Sequence, residues 1–102
     1  MKAATNLKKP FGTAKFAAVK HARYLAWEDA FDVEFADGLS FLEPQAAVKK
    51  ANKISTAAEP VTVAVDELGV YFEVRYDTGE VAEVSWAFIR ELPPKKGFHS
   101  VR

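Results

Sequence analysis

Two segments of the chain share one pattern of large apolar and charged positions. Phe31 to Gly38 reads Phe-Asp-Val-Glu-Phe-Ala-Asp-Gly, and Phe72 to Gly79 reads Phe-Glu-Val-Arg-Tyr-Asp-Thr-Gly. In each copy apolar and charged residues alternate and a turn triplet ending in Gly follows, which is typical of a half-buried strand entering a β-hairpin. Because glycine adopts positive φ without strain, both glycines are predicted to lie in hairpin turns.

Further alternating segments flank these two hairpins. They predict strands near Val19–Leu25, Leu39–Leu42, Val61–Val65 and Glu80–Val84. The alanines of residues 13–26 also fit a helix, so this segment is either helix or strand. We favour the strand, because a hairpin needs a neighbouring strand to be stable.

One longer and one shorter helix are predicted after the hairpins. Residues 45–58 are rich in Ala, Val and Lys, follow Pro44 and stop before Pro60. Ser85 is suited to cap a short helix that begins at Trp86. The face of the longer helix expected to pack on the sheet carries small residues at helical spacing, Ala47, Ala51, Ile54 and Ala58, with Val48 adjacent.

This order of elements predicts an α+β fold. We expect a mainly antiparallel sheet of about five to six short strands, with one central helix packed on one face and a short C-terminal helix. The length of 102 residues, 49% of them hydrophobic, indicates one domain with a modest core. The predicted organisation is a flexible basic arm over residues 1–12, a single α+β domain over 13–92 and a basic C-terminal tail over 93–102.

Charge is strongly segregated although the formal net charge is zero. Residues 1–27 hold six basic residues and no acid, whereas all 14 acids lie between Glu28 and Glu91. Such asymmetry can mark a segment that binds nucleic acid, one that lies on its own acidic domain, or a solvated terminus. The candidate nucleic-acid contacts are the basic residues that alternate with aromatic ones near the N-terminus: Lys8, Lys9, Lys15, Lys20 and Arg23.

Residue patterns that carry chemistry are hardly visible. The chain has no cysteine, and its residues predict no catalytic, cofactor-binding or metal-ligating set. Asp77-Thr78-Gly79 matches the Asp-Thr-Gly loop of aspartic proteases, but Glu80 after it departs from that pattern and the triplet predicts an ordinary turn. An acid–base enzyme remains as an alternative if acids such as Asp66 and Asp77 converge in the fold.

Aromatic residues give the remaining candidates for function. Trp27, Trp86 and Phe88 are candidate interface residues, because aromatic side chains dominate binding hot spots. An uncovered edge of the sheet is a second candidate, since it can pair with a strand of a partner or of another copy. The absence of cysteine, of a long apolar segment and of an apolar signal sequence favours the cytoplasm and excludes membrane insertion.

The run Val19–Leu25, the segment Phe31–Gly38, and Tyr71–Tyr76 with Trp86 together resemble the small bacterial domains grouped as domain-of-unknown-function family 2442. The resemblance spans Val19 to Leu92 and implies a small α+β fold without established catalysis. Some members of that family lie beside toxin-like partners, which implies a binding role.

We therefore predict a small non-enzymatic protein-interaction module, with a protein partner or self-association through a sheet edge. The first alternative is a nucleic-acid-binding protein that uses the basic N-terminal segment. The second is an acid–base enzyme with a carboxylate site that the sequence hides.

Overall fold

Six strands and two helices make up residues 16–91, the part of the chain that the computed structural model describes. The strands are β1 Val19–Leu25, β2 Ala30–Phe35, β3 Ser40–Pro44, β4 Pro60–Val65, β5 Tyr71–Tyr76 and β6 Val81–Ser85, and the helices are α1 Gln45–Asn52 and α2 Trp86–Arg90. This confirms the predicted α+β class and the choice of strand for β1. The predicted arm at residues 1–12 and tail at 93–102 lie outside the described residues.

The second half of this structure repeats the first half with an offset of 41 residues, from 35 to 76 and from 38 to 79. In both hairpin turns the glycine N–H donates to the carbonyl of the last strand residue at 2.9 Å, Gly38 to Phe35 and Gly79 to Tyr76. The two glycines have φ of +92° and +91°. The predicted role of both glycines is therefore confirmed, and their sequence pattern reflects a structural repeat.

The same offset holds where each third strand passes into a helix. The N–H of Gln45 donates to the carbonyl of Asp29 at 3.0 Å, and the N–H of Trp86 donates to the carbonyl of Val70 at 2.9 Å. The pairing of the first two strands of each half also shifts register at matching places, residues 19–21 and 60–62. The unit β-β-β-α thus occurs twice without insertion or deletion over these elements.

The strands form two antiparallel sheets, β1-β2-β3 and β4-β5-β6, and the prediction of one larger sheet is wrong. β1 and β4 lie beside each other, and the Val19 N–H donates to the Gly69 carbonyl at 2.9 Å. At the position of the second repeat that matches Val19, Pro60 has no N–H to donate. No continuous ladder joins the two sheets, which are held together by core packing and by the Val19–Gly69 hydrogen bond.

The core lies where the inner faces of both sheets meet. Phe31 on β2 and Phe72 on β5 are fully buried, with ring centroids 5.8 Å apart. Each helix contacts strands of both repeats: α1 contacts β3 and β6, and so does α2. Val48 of α1 and Ile89 of α2 occupy matching positions of the repeat and are fully buried.

The predicted helix over residues 45–58 ends at Asn52, and Pro44 precedes it as N-cap instead of lying in its first turn. Lys53 adopts a left-handed conformation with φ 56°, which closes the last helical turn through its N–H. The small-residue stripe is therefore not the buried face. Ile54 and Ala58 are buried, but they follow the helix, whereas the buried residues of α1 itself are Gln45 and Val48.

Candidate functional site

The two repeats differ in polarity at some matching positions, although both form the same elements. Several positions that are apolar in the second copy carry polar side chains in the first, and four of them lie at or near the candidate site. The pairs are Tyr24 and Val65, Asp29 and Val70, Glu43 and Val84, and Gln45 and Trp86. Since the second copy builds the same elements with apolar residues, the fold alone does not explain the polar set.

Tyr24, Asp29 and Gln45 form a hydrogen-bonded cluster between the β1–β2 turn and the start of α1. Asp29 Oδ1 accepts from the Tyr24 hydroxyl at 2.6 Å and from Gln45 Nε2 at 2.9 Å. Gln45 Nε2 also lies 3.2 Å from the Tyr24 hydroxyl oxygen. Asp29 has φ 52°, a conformation that Asp tolerates better than most residues.

These contacts hold the carboxyl of Asp29 ionised. The hydrogen bond from Tyr24, followed by that from Gln45, lowers the pKa of Asp29 below its usual range. The same bond to Asp29 is the main cause that raises the pKa of Tyr24 to about 12. Gln45 is only 4% exposed, and its Oε1 has no hydrogen-bond partner among the described residues. The cluster therefore contains the carboxylate of Asp29 and one buried acceptor, Gln45 Oε1, that receives no hydrogen bond from the described residues.

A groove of about 410 Å³ runs from this cluster along α1, and we name it the α1 groove. Its lining residues are Asp29, Gln45, Ala46, Lys49, Lys50, Lys53, Ile54 and Thr56. The N-cap of α1, Pro44, makes no side-chain hydrogen bond to the helix, and the first turn contains no acidic residue. The three lysines thus give the groove a positive character, with the carboxylate of Asp29 at one end.

The lysines of the α1 groove differ from the arginines elsewhere on the described body in their lack of ion pairs with carboxylates. Arg23, Arg75 and Arg90 each form an ion pair with a carboxylate. Lys49 Nζ instead donates to the Thr56 carbonyl at 2.7 Å, and within residues 16–91 neither Lys50 nor Lys53 forms a salt bridge. Their charge is therefore available to an external anion.

Glu43 is the fourth polar residue of the first copy, and it lies in the core. Its side chain is 1% exposed, it pairs across the sheet with Phe31, and its Oε1 has no hydrogen-bond partner in the described part of the chain. Desolvation by burial raises the pKa of Glu43 to about 7. Sequence reasoning missed this residue, although alternation along β3 places it on the same face as buried Phe41.

A second groove, of about 310 Å³, lies between the end of α1 and α2 across β6. We name it the Phe88 groove; its lining residues are Ala51, Asn52, Val70, Tyr71, Glu83, Val84, Ser85 and Phe88. Asn52 Nδ2 donates to the Glu83 carbonyl at 3.3 Å, and its Oδ1 accepts from the Glu83 N–H at 3.1 Å. The side-chain amide of Asn52 therefore pairs with the backbone N–H and carbonyl of Glu83 at the edge of β6.

The three predicted interface residues have different environments. Trp27 lies in the β1–β2 turn and is 79% exposed, and Leu68 at the matching position of the second copy is exposed as well. Trp86 is half-buried and packs against the core, with the Phe16 ring edge-on at 5.3 Å. Phe88 is 37% exposed and lines the groove named after it. Trp27 and Phe88 thus belong to separate surfaces.

The predicted nucleic-acid contacts are only partly within the described residues. Lys8, Lys9 and Lys15 lie outside them. Lys20 and Arg23 are exposed on β1 and line a shallow concavity together with Asp32 and Glu34, and Arg23 Nη2 lies 3.3 Å from Asp32 Oδ2. The carboxylates beside these two cations reduce the positive potential there.

Asp66 and Asp77, the carboxylates considered for acid–base chemistry, do not share a pocket. Asp66 accepts from the Leu68 and Val70 N–H groups in the turn before β5. Asp77 accepts from the Glu59 N–H just after β5. A strand of this length separates them by about 17–20 Å. Both carboxylates stabilise turns at opposite ends of one strand.

Within residues 16–91, no helix is long and apolar enough to cross a membrane. In the same part of the chain, no group of three or more His, Asp or Glu side chains is placed to hold a metal ion. Comparisons with known proteins give no matching family model, no matching curated protein and no matching solved structure. The resemblance to family 2442 accordingly stays a prediction.

Proposed function

We propose that this protein is a non-enzymatic interaction module that binds an acidic segment of a partner protein in the α1 groove. The observation that carries this proposal is the set of three lysines along one groove of an otherwise acidic body. Lys50 and Lys53 have no carboxylate partner among the described residues, so they lose no existing ion pair when an anion binds. Charge complementarity of this kind steers encounter and sets specificity.

The polar cluster at one end of the groove favours a peptide over a nucleic acid. Asp29 lines this end of the groove and presents carboxylate oxygens that accept hydrogen bonds. A peptide backbone carries N–H groups that can donate to the Asp29 carboxylate, whereas a phosphodiester backbone has no donor.

Trp27 provides an apolar anchor beside the same groove. It lies two positions before Asp29 in the β1–β2 turn, and its side chain is largely exposed. Exposed tryptophans are enriched among the residues that contribute most to protein–protein binding. A partner segment that combines acidic residues with an apolar side chain fits both features.

The test is fluorescence anisotropy of the full chain with three probes of similar length. One probe is a peptide of alternating Glu and Leu, the second has Lys in place of Glu, and the third is an oligo-dT. We expect binding of the acidic peptide alone, with an affinity that falls as salt rises. The variant Lys50→Glu is expected to weaken it about tenfold, which corresponds to about 1.4 kcal/mol.

Lys20→Glu is the matched control, because Lys20 is an exposed lysine on β1 outside the α1 groove and the change in charge is the same. It is expected to leave the affinity for the acidic peptide unchanged. The proposal fails if the oligo-dT binds as tightly as the acidic peptide. It fails equally if both lysine variants weaken binding to the same extent.

A further inference from the structure

The first described residues fix where the N-terminal segment meets the folded body. The Phe16 ring lies edge-on to Trp86 of α2, with centroids 5.3 Å apart. Val19 N–H donates to the Gly69 carbonyl, and a Cβ built on Gly69 would lie 2.7 Å from the Ala18 Cβ. The chain therefore joins the body against the second repeat, at α2 and the β4–β5 turn.

The Phe88 groove lies within reach of that junction. Val70, the residue after Gly69, lines the groove, and Phe88 lies on the same short helix as Trp86. A helix with its side chains is about 10–12 Å across, so a chain that passes from the Trp86 side of α2 to its Phe88 side must cover about that distance. An extended chain covers up to about 17 Å in five residues, which is enough to reach around α2.

The groove combines an apolar floor with an acidic rim. Val70, Val84 and Phe88 supply the apolar surface. Glu83 is the carboxylate among the lining residues, and the carboxylates of Asp66 and Glu83, desolvation and the carboxylate of Glu73 raise the pKa of Tyr71, another lining residue. A matching occupant carries apolar side chains between basic ones.

The segment ahead of Phe16 has this composition. Residues 1–15 contain four lysines and no acid, with Leu7 and Phe11 as large apolar side chains beside Lys8 and Lys9. The described body, residues 16–91, holds all 14 acids and seven basic residues, Lys20, Arg23, Lys49, Lys50, Lys53, Arg75 and Arg90. Opposite charge and tethering at Phe16 both favour contact between the segment and the body, because a tethered ligand has a high effective concentration.

We propose that residues 1–15 bind intramolecularly in the Phe88 groove, with Phe11 on its apolar floor and the neighbouring lysines at its acidic rim. The segment then occupies a surface separate from the α1 groove. The inference does not depend on the proposed binding of an acidic partner, since the two surfaces share no lining residue.

The absence of cysteine permits a direct test by paramagnetic NMR. The variant Asn6→Cys, labelled with a nitroxide in the full chain, is expected to broaden the amide signals of Val70 and Phe88 strongly and that of Trp27, on a separate surface, weakly. The broadening is expected to weaken as salt rises. Uniform broadening, or stronger broadening at Trp27 than at Phe88, would overturn the inference.

Two further variants of the labelled protein separate docking from damage to the fold. Phe88→Ser removes the apolar floor, and Phe11→Ser changes the segment while leaving the described body intact; each is expected to abolish the selective broadening. Val61→Ser is the control, because Val61 is 64% exposed on β4 outside the groove, and it should leave the broadening unchanged. Broadening that survives Phe11→Ser contradicts the inference.

A mixed sample decides whether the contact is intramolecular. Isotope-labelled protein without nitroxide is combined with nitroxide-labelled protein that is invisible to the experiment. No broadening is expected in this mixture. Broadening at Phe88 there would show that the segment occupies the groove of a second copy and would overturn the proposed intramolecular contact.

Discussion

Phe31 and Phe72 occupy the same position in the two repeats, and their rings meet in the core with centroids 5.8 Å apart and planes inclined by 50°. Both side chains are fully buried on the central strands of their sheets. Since α1 of the first repeat contacts β6 and α2 of the second contacts β3, the contacts between the halves are reciprocal. This pair therefore marks an approximate twofold relationship between the repeats.

Replacing these two phenylalanines tests whether the halves are stabilised by each other. Phe31→Leu and Phe72→Leu are each expected to cost about 1–1.5 kcal/mol in free energy of unfolding, because the volume change is small. The double variant is expected to show a coupling of about 0.5–1.5 kcal/mol, the range for aromatic pairs in contact. Urea unfolding of the four proteins in the cycle measures this coupling. Strict additivity would contradict a direct contact between the rings.

Local patterns predicted the hairpins, because alternation and turn glycines are determined within a few residues. Gly38, Gly79 and the cap formed by Ser85 all occupy the predicted roles, and the Phe88 N–H donates to Ser85 Oγ at 3.2 Å. The division into two sheets depends on how β1 and β4 meet, which no local pattern contains. The end of α1 at Asn52 depends on the left-handed conformation of Lys53, a residue with good helix propensity.

The polar cluster and Glu43 were invisible for a related reason. Their significance lies in the comparison with the second copy, and the shared pattern of Phe31–Gly38 and Phe72–Gly79 contains none of these positions. Extending the same register would have paired Glu43 with Val84 and Gln45 with Trp86. The hydrogen bonds of Asp29, by contrast, depend on a contact between a turn and a helix that are distant in sequence.

The turn glycines are predicted to differ in their tolerance of a side chain. Gly69 has φ +73° and Gly79 has φ +91°, so an alanine at either position is strained by about 1–2 kcal/mol. At Gly69 a Cβ would also lie 2.7 Å from the Ala18 Cβ and 2.9 Å from backbone atoms of Val19, whereas nothing lies within 4 Å at Gly79. We expect Gly69→Ala to cost about 1–3 kcal/mol more than Gly79→Ala, because of overpacking. Equal midpoints in urea would refute the close approach of β1 to this turn.

Asn52 is predicted to limit pairing through the edge of β6. In Asn52→Ala both hydrogen bonds to the Glu83 backbone are lost, which is expected to lower stability by about 1–2 kcal/mol. The exposed N–H and carbonyl also favour pairing with another strand, so self-association should rise with concentration. Analytical ultracentrifugation measures the association, and Lys50→Ala on the same helix is the control. A variant that stays as monodisperse as the parent would show that this amide does not protect the edge.

Because the pKa of Glu43 is raised, we expect the protein to lose stability as pH rises from about 4.5 to about 7. Its folded-state pKa is raised from 4.5 to about 7, so in this interval the folded protein binds a proton that the unfolded chain releases. The free energy of unfolding therefore falls with rising pH, by roughly 3 kcal/mol once the pH exceeds the folded pKa. Asp29, Asp37 and Glu80 have lowered pKa values, and their contributions are lost only below their ordinary values of 3.8, 3.8 and 4.5.

Two substitutions at this position separate ionisation from packing. Glu43→Gln keeps the size of the side chain without its charge, so urea unfolding from about pH 5 to about pH 8 should lose most of its slope in this variant. Glu43→Val introduces the residue that the second repeat carries at position 84, and it is expected to raise stability most at the upper end of this range, because it removes a buried charge without a partner. A slope that persists in Glu43→Gln would assign the pH dependence to another group. If the slope disappears and the fold is retained, Glu43 is the group of the described body that links stability to pH near neutrality, through desolvation in the core that the two repeats share.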